Sequence, residues 1–277
     1  MALLLALGSG LTFGVADFAG GLAAKRAAAT VVTLVSQAIG LVVLLPLLAL
    51  LPGTPSPAAF ASGALAGIAG AAGVVAYLRA LALGPMGVVA PLASVVGVMV
   101  PVMVGVAAGE RPSLLAATGI AIGLVAITVV AGGGRADRAV SGGAAGPLLA
   151  LAGGAAFGVF FVLLDLTPPG SGLWPLVGAR GASLALLGVL VTVLRQDLPP
   201  PAALPMVALS GVLDMLANIL FLLATRAGML TVTALLASLY PVVVVILARQ
   251  LLAERLRRPQ IVAVVLALAA VAVITVS

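Results

Sequence analysis

Three ionisable side chains, Asp17, Arg180 and Asp214, stand inside stretches that are otherwise almost wholly apolar. A charge is costly to hold in such a stretch, so each is a functional candidate by default. Asp17 can bind a proton or the cationic end of a small molecule. Arg180 and Asp214 carry opposite charges on consecutive segments, and two readings stay open for them. Paired, they neutralise each other as a structural clamp. Unpaired, Arg180 would grip a carboxylate or phosphate in bidentate geometry. Asp214 and Asn218, one helical turn apart, would then hold an amine or hydroxyl. An amino acid would satisfy both ends. The competing reading of Asp17 is a helix-end residue, since Lys25 and Arg26 follow two turns later.

Softer polar groups surround these three in the apolar pattern: Tyr77, Ser94, Ser238 and Tyr240. Pro91, Pro101 and Pro241 each remove a backbone donor and free a carbonyl, which apolar spans tolerate where protein or a cavity satisfies it. They are the candidate hinge or gating positions, and the alternative for each is a bend that serves packing alone. Glu110 and Glu254 precede arginines at matching helix ends and are expected to cap helices or pair locally rather than touch a ligand. The chain has no cysteine and no histidine. Disulfides, thiolate metal sites, thiol nucleophiles and histidine proton relays are thereby excluded. No serine has a lysine neighbour within a span, so an intramembrane enzyme lacks its nucleophile and base. No cofactor or metal is expected.

The elements that must position these groups are long apolar helices. Of the 277 residues 64% are hydrophobic and 7% charged, against about 25% charged in soluble domains. A hydrocarbon core needs roughly 20 apolar residues per helix. That window gives about ten spans, near 2–24, 30–51, 61–83, 88–108, 113–131, 144–165, 173–194, 202–226, 230–251 and 259–276. The runs are too long and too unbroken for a β-barrel. The first lacks a basic leader and a cleavage site and reads as a helix rather than a signal peptide. The net charge of +6 comes from arginines dispersed at helix ends, a topology signal and not a nucleic-acid footprint.

The chain also repeats itself at an offset of 144 residues. Gly10 falls on Gly154, Phe13-Gly14-Val15 on Phe157-Gly158-Val159, Gly67 on Gly211, Ala93-Ser94 on Ala237-Ser238, and Glu110-Arg111 on Glu254-Arg255. A unit with an odd number of spans forces its second copy into the membrane upside down, the construction of many secondary transporters. Asp17 breaks the symmetry, its mate being Phe161; Tyr77 has Phe221 as its mate. Small residues four apart, at Gly10/Gly14, Gly63/Gly67, Gly105/Gly109, Gly119/Gly123 and Gly154/Gly158, predict packing seams within the monomer, with dimerisation as the alternative. Lys25, Arg26, Arg79, Arg135, Arg138, Arg195, Arg249, Arg255, Arg257 and Arg258 follow odd-numbered spans, against Arg111 and Arg226 after even ones. That bias places the first side in the cytoplasm and both termini outside.

Tyr77-Leu78-Arg79-Ala80-Leu81, Gly84-Pro85, Ala90-Pro91-Leu92-Ala93-Ser94 and Gly109-Glu110-Arg111 resemble the EamA-like branch of the drug/metabolite transporter superfamily. The second copy, from Ala234 through Ser238, Tyr240 and Pro241 to Ala253-Glu254-Arg255, fits the same pattern. The resemblance covers nearly the whole chain; it is specific for the superfamily and uninformative about substrate. It implies ten helices as two inverted five-helix bundles around a central cavity lined mainly by helices 1, 3, 4, 6, 8 and 9. It carries Asp17, Tyr77, Ser94, Asp214, Asn218, Ser238 and Tyr240 into that cavity. Members move amino acids, other small metabolites, drugs or nucleotide sugars by alternating access. Small multidrug relatives couple protons through an acidic residue in their first helix, and Asp17 is similar in kind. One departure is that Gly97 stands where the second copy has Pro241, with Pro101 a turn later, so the halves are expected to gate differently.

The expectation is therefore an all-α integral membrane protein of about ten transmembrane helices as two inverted five-helix repeats. Residues 1–131 and 147–277 are the repeats and 132–146 the linker. The expected activity is secondary transport, with export of a small polar metabolite such as an amino acid from a bacterial cell across its inner membrane. The partners are the substrate, the bilayer and, as a candidate coupling ion, the proton; nucleic acid is not among them, and the chain is a monomer or weak homodimer. The alternatives are an exporter of drugs or other hydrophobic compounds, and a non-transporting scaffold or lipid-binding subunit.

Overall fold

A backbone surrounded by lipid must satisfy its own polar groups, which leaves the helix as the economical solution for long apolar runs. The computed structural model describes residues 1–84, 86–133 and 145–252, with isolated positions between 258 and 273. Every regular element among the described residues is helical: α1 (Ala2–Ala24), α2 (Ala29–Leu50), α3 (Pro57–Leu83), α4 (Met86–Ala107), α5 (Leu114–Gly133), α6 (Ala145–Asp165), α7 (Trp174–Val193), α8 (Leu204–Ala227), α9 (Leu230–Ala237) and α10 (Tyr240–Leu251). Two 3₁₀ turns, Pro169–Ser171 and Pro201–Ala203, sit in the proline-rich connections. Prolines open α3, α7, α8 and α10, where a fixed φ and a missing N–H cost nothing. Ser56 caps α3 by accepting from the Ala59 amide at 3.1 Å.

Seven of the described segments are long and apolar enough to cross a membrane: α1, α2, α3, α6, α7, α8 with its leading turn, and Leu230–Leu251. α4 and α5, with 22 and 20 residues, occupy the places of the fourth and fifth expected spans. Most of the tenth expected span, most of the linker, Arg135, Arg138 and Glu254 to Arg257 lie outside the described residues.

The ninth span departs from the expected single helix. It breaks at Ser238–Leu239 into α9 and α10. Pro241 is the cause on the sequence side: it has no N–H to give the Ala237 carbonyl one turn earlier. The Val242 amide then turns back to the Leu239 carbonyl at 3.0 Å, which leaves the Ser238 carbonyl free for another donor. α4, by contrast, stays one helix through both Pro91 and Pro101.

Glycines set how the helices meet. A Cβ on Gly10 would stand 2.7 Å from the Leu236 carbonyl oxygen, and one on Gly14 would stand 2.7 Å from that of Tyr240. Gly154 and Gly158 meet the carbonyls of Ala93 and Gly97 in the same way, and Gly63 and Gly67 those of Pro175 and Ala179. Three of the five glycine pairs are thus seams between helices of the same chain, the close approach that small residues permit without water. Gly109 serves a turn, with φ +95°.

The contacts also fix directions. α1 lies parallel to α3, with Gly20 against Leu78 and Gly21 against Leu81. α3 lies antiparallel to α6, with Gly70 against Phe160, Gly73 against Phe157 and Gly153 against Tyr77. α1 and α6, the first helices of the two sequence copies, therefore point opposite ways. The most extensive packing joins one half to the other: α1 on α8, α3 on α6, α3 on α7 and α4 on α6. Exchanging the halves converts α1–α8 into α6–α3, so the packing obeys the sequence repeat. Outside this bundle stand large apolar side chains such as Leu4, Leu11, Val42, Leu65, Met103 and Val193.

Candidate functional site

Between the halves lie two adjoining compartments whose walls share Phe13, Val74, Phe157, Phe161 and Asp214. Phe13 and Phe157 are repeat mates, so the shared wall sits where the two copies face each other.

α2, α3, α6, α7 and α8 build the first compartment, with Phe13 of α1 in the shared wall. Gly40 and Gly211 let α2 approach α8, which brings Gln37 to α7. Arg180 on α7 is 5% exposed. Its Nη2 donates to Asp214 Oδ2 at 2.5 Å, and its Nη1 donates to Gln37 Oε1. Of the two readings the sequence leaves open, the pair is the one present. The Asn218 side-chain amide donates to the Asp214 backbone carbonyl at 2.7 Å, and its Oδ1 is buried without a hydrogen-bond partner. Ser183, also on this wall, donates to the Gly67 carbonyl at 2.7 Å.

The second compartment contains Asp17, Ser94, Gly97, Ser238 and Tyr240 beside the shared wall. Asp17 does not pair with Lys25 or Arg26, which are exposed at the end of α1; Arg26 reaches the Ala202 carbonyl instead. The Asp17 carboxylate lies beside the Tyr77 and Tyr240 rings and within electrostatic range of Asp214. Arg180–Asp214 is the only salt bridge among the described residues, so Asp17 has no cationic partner there. Tyr77 stands behind the wall, fully buried, edge-on to Phe157 at 5.5 Å and to Tyr240 at 6.1 Å between ring centroids. Both tyrosine hydroxyls are buried without a partner at hydrogen-bond geometry. Phe221, the mate of Tyr77, stacks on Phe161 at 4.3 Å, so this pair packs the core rather than facing the compartments.

The helix break has its own partner. Ser94 Oγ donates to the freed Ser238 carbonyl at 2.5 Å, across 144 positions of sequence. Residue and mate therefore meet each other. The charged groups do not share this symmetry: the mates of Arg180, Asp214 and Asn218 are Ser36, Gly70 and Val74. Asp17 likewise has an apolar mate, Phe161, so charged groups from both halves are placed asymmetrically on a symmetrical frame.

Of the proline positions, Pro241 opens α10 beside the site, Pro101 is buried in α4, and Pro91 lies in α4. Gln37 is the member of the Arg180 cluster that sequence reasoning left unassigned. Its signal is a lone amide in an apolar span, one position past the mate of Arg180. Glu110 caps a helix, as its position suggested, but not a local one. Its carboxylate accepts from the amides of Leu230 at 2.7 Å and Thr231 at 3.0 Å. The loop after α4 thus holds the N-terminus of α9, where a negative charge is favoured.

No curated protein sequence matches the chain. Among the solved structures similar to it, one crystal structure matches with a TM-score of 0.72, over 99% of this chain and 97% of that one, at 20% identity; the likeness is one of fold. The family model of EamA-like transporters matches residues 1–132 and again 144–276. Two matches that together span nearly every residue, on a bundle of apolar helices, place this multi-pass membrane protein in the EamA-like transporter family of the drug/metabolite transporter superfamily.

Proposed function

We propose that the protein is a secondary transporter that exports a small polar metabolite, an amino acid or a related compound, by alternating access. The observation that carries this reading is the pair of compartments on the seam between the halves. Asp17 lines one, Asn218 the other and Asp214 both, and helices from both halves form the walls, which supports one substrate site across the seam. Rocking of one half on the other would open such a seam to each side in turn. The opposed directions of α1 and α6 support two inverted repeats, and ten spans follow if 259–276 adds the last. The arginine bias supports a cytoplasmic side at the ends of the odd-numbered spans and both termini outside. A bacterial inner membrane suits this topology. Asp17, without a cationic partner, is the group through which protons would couple. The aromatic side chains in the shared wall favour one second reading, an exporter of drugs or other hydrophobic compounds.

Counterflow in proteoliposomes tests the proposal, using labelled amino acids and other metabolites with and without an imposed pH gradient. Uptake of one polar class is expected to depend on the gradient. Asp17→Asn should lower its initial rate by at least about 10-fold, as expected for loss of an intramembrane carboxylate on the pathway. Movement of lipophilic dyes alone would favour the second reading. Folded protein that moves nothing, with Asp17→Asn and Asp214→Asn harmless in the cell, would mean a scaffold or lipid-binding subunit.

A further inference from the structure

We infer that this cavity recognises the ammonium end of its substrate and leaves any carboxylate unbound, so that amines lacking a carboxylate are substrates too. The inference rests on the carrier reading and names the chemistry of its site. It comes from an inventory of hydrogen-bonding capacity. The strong donor of the cavity, Arg180, is already committed on both terminal nitrogens, to Asp214 and to Gln37. Other donors remain, among them the unpartnered Tyr77 and Tyr240 hydroxyls, but none brings a positive charge that Asp214 has not already matched. Asp17 is a carboxylate with no cation beside it among the described residues. Asn218 has given one of its two amide N–H groups to the Asp214 carbonyl and presents a buried Oδ1 with no partner. Ionised carboxylates accept only, and an ammonium donates only.

Charge points the same way. Two carboxylates and one guanidinium line the joined compartments, and the guanidinium neutralises one of them. A single positive charge completes the balance, whereas a carboxylate would add a third negative group with its natural partner taken. Breaking Arg180 away to receive it would leave Asp214 unpaired in an apolar wall. The aromatic side chains agree: Phe13, Phe157, Phe161 and Tyr240 stand around Asp17, and aromatic faces attract cations. The sequence alone suggests Arg180 as the anchor for one end of an amino acid. The geometry assigns Arg180 to Asp214 and moves recognition to Asp17 and Asn218.

Equilibrium binding to the purified full-length protein in lipid nanodiscs tests this with three ligands sharing one apolar body: 2-phenylethylamine, L-phenylalanine and 3-phenylpropionate. The amine and the amino acid should bind within about 5-fold of each other, and the acid at least about 30-fold more weakly, the scale of an unpaired buried charge. Asp17→Asn should weaken the amine by at least about 30-fold, and Asp17→Glu should restore most of the loss. The wild-type ligand series stands even if a variant misfolds. Binding of the acid as tight as that of the amine, or amine binding unchanged in folded Asp17→Asn, would overturn the inference while leaving transport intact. Silence from all three ligands overturns it as well, and the wider counterflow panel then judges the carrier reading separately.

Discussion

Arg180→Met is expected to unfold at markedly lower temperature than the wild type, with a loss of about 3 kcal/mol, and Asp214→Leu added to it should restore most of that stability. The single change leaves the Asp214 carboxylate without its charge partner and the Gln37 carbonyl without its donor. The partially exposed setting of Asp214, 23% by side chain, keeps the loss below that of a fully enclosed charge. The second change removes the stranded group, and an apolar pair of similar volume packs where the ion pair stood. Gln37→Leu alone should cost about 1 kcal/mol, the scale of one hydrogen bond. Thermal unfolding of wild type, Arg180→Met, the double variant and Gln37→Leu in one detergent makes the comparison. A double variant no more stable than Arg180→Met would mean that the guanidinium holds α7 through contacts other than Asp214.

Gly154→Val should abolish recovery of folded protein, because its Cβ would collide with the Ala93 carbonyl on α4. Backbone cannot retreat as a flexible side chain can, so α4 and α6 must separate and give up the contact between halves. Overpacking costs about 1–3 kcal/mol where side chains can shift, and this site offers none that can. Gly67→Val meets the Ala179 carbonyl in the same way on the α3–α7 seam and should behave alike. Gly188→Ala is the control: nothing lies within 4 Å of its added methyl. It should gain about 0.5–1 kcal/mol from helix propensity. Size-exclusion profiles of the three variants at equal expression decide the matter. A monodisperse Gly154→Val protein would show that the halves are held elsewhere.

These seams were readable in advance because a glycine four residues from another has one common use between helices in lipid. The repeat was readable for a similar reason: identical residues at one constant offset need no structure to be seen. Opposite charges on neighbouring spans announced Arg180 and Asp214, and the structure joins them. Gln37 was harder, since an uncharged amide in a span has many uses and its partner lies on α7, far along the chain. Pro241 foretold trouble for the Ala237 carbonyl but not where the helix would part, because that depends on the Ser94 hydroxyl arriving from α4. The facing of Tyr77 was equally hidden. It turns on the angle at which α3 meets α6, which the glycines permit but do not set.

The Ser94–Ser238 bond has an arrow. Its two ends hold the same place in the two copies of the repeat, yet one gives a hydroxyl and the other a carbonyl. A perfectly two-fold molecule would make the reciprocal bond as well, Ser238 Oγ to the Ser94 carbonyl, and among the described residues only the one direction is made. Under the alternating access proposed above, the bond marks one conformation, and the opposite-facing form is expected to have Ser238 Oγ donating to a Ser94 carbonyl released by a bend beside Gly97. Ser94→Ala removes the mark of one form and Ser238→Ala that of the other. The two changes should drive exposure of the cavity in opposite directions, read by labelling cysteines placed at each mouth of a chain that has none of its own. Shifts of the same sign would reduce the bond to a staple and leave the two forms without a marker at their centre.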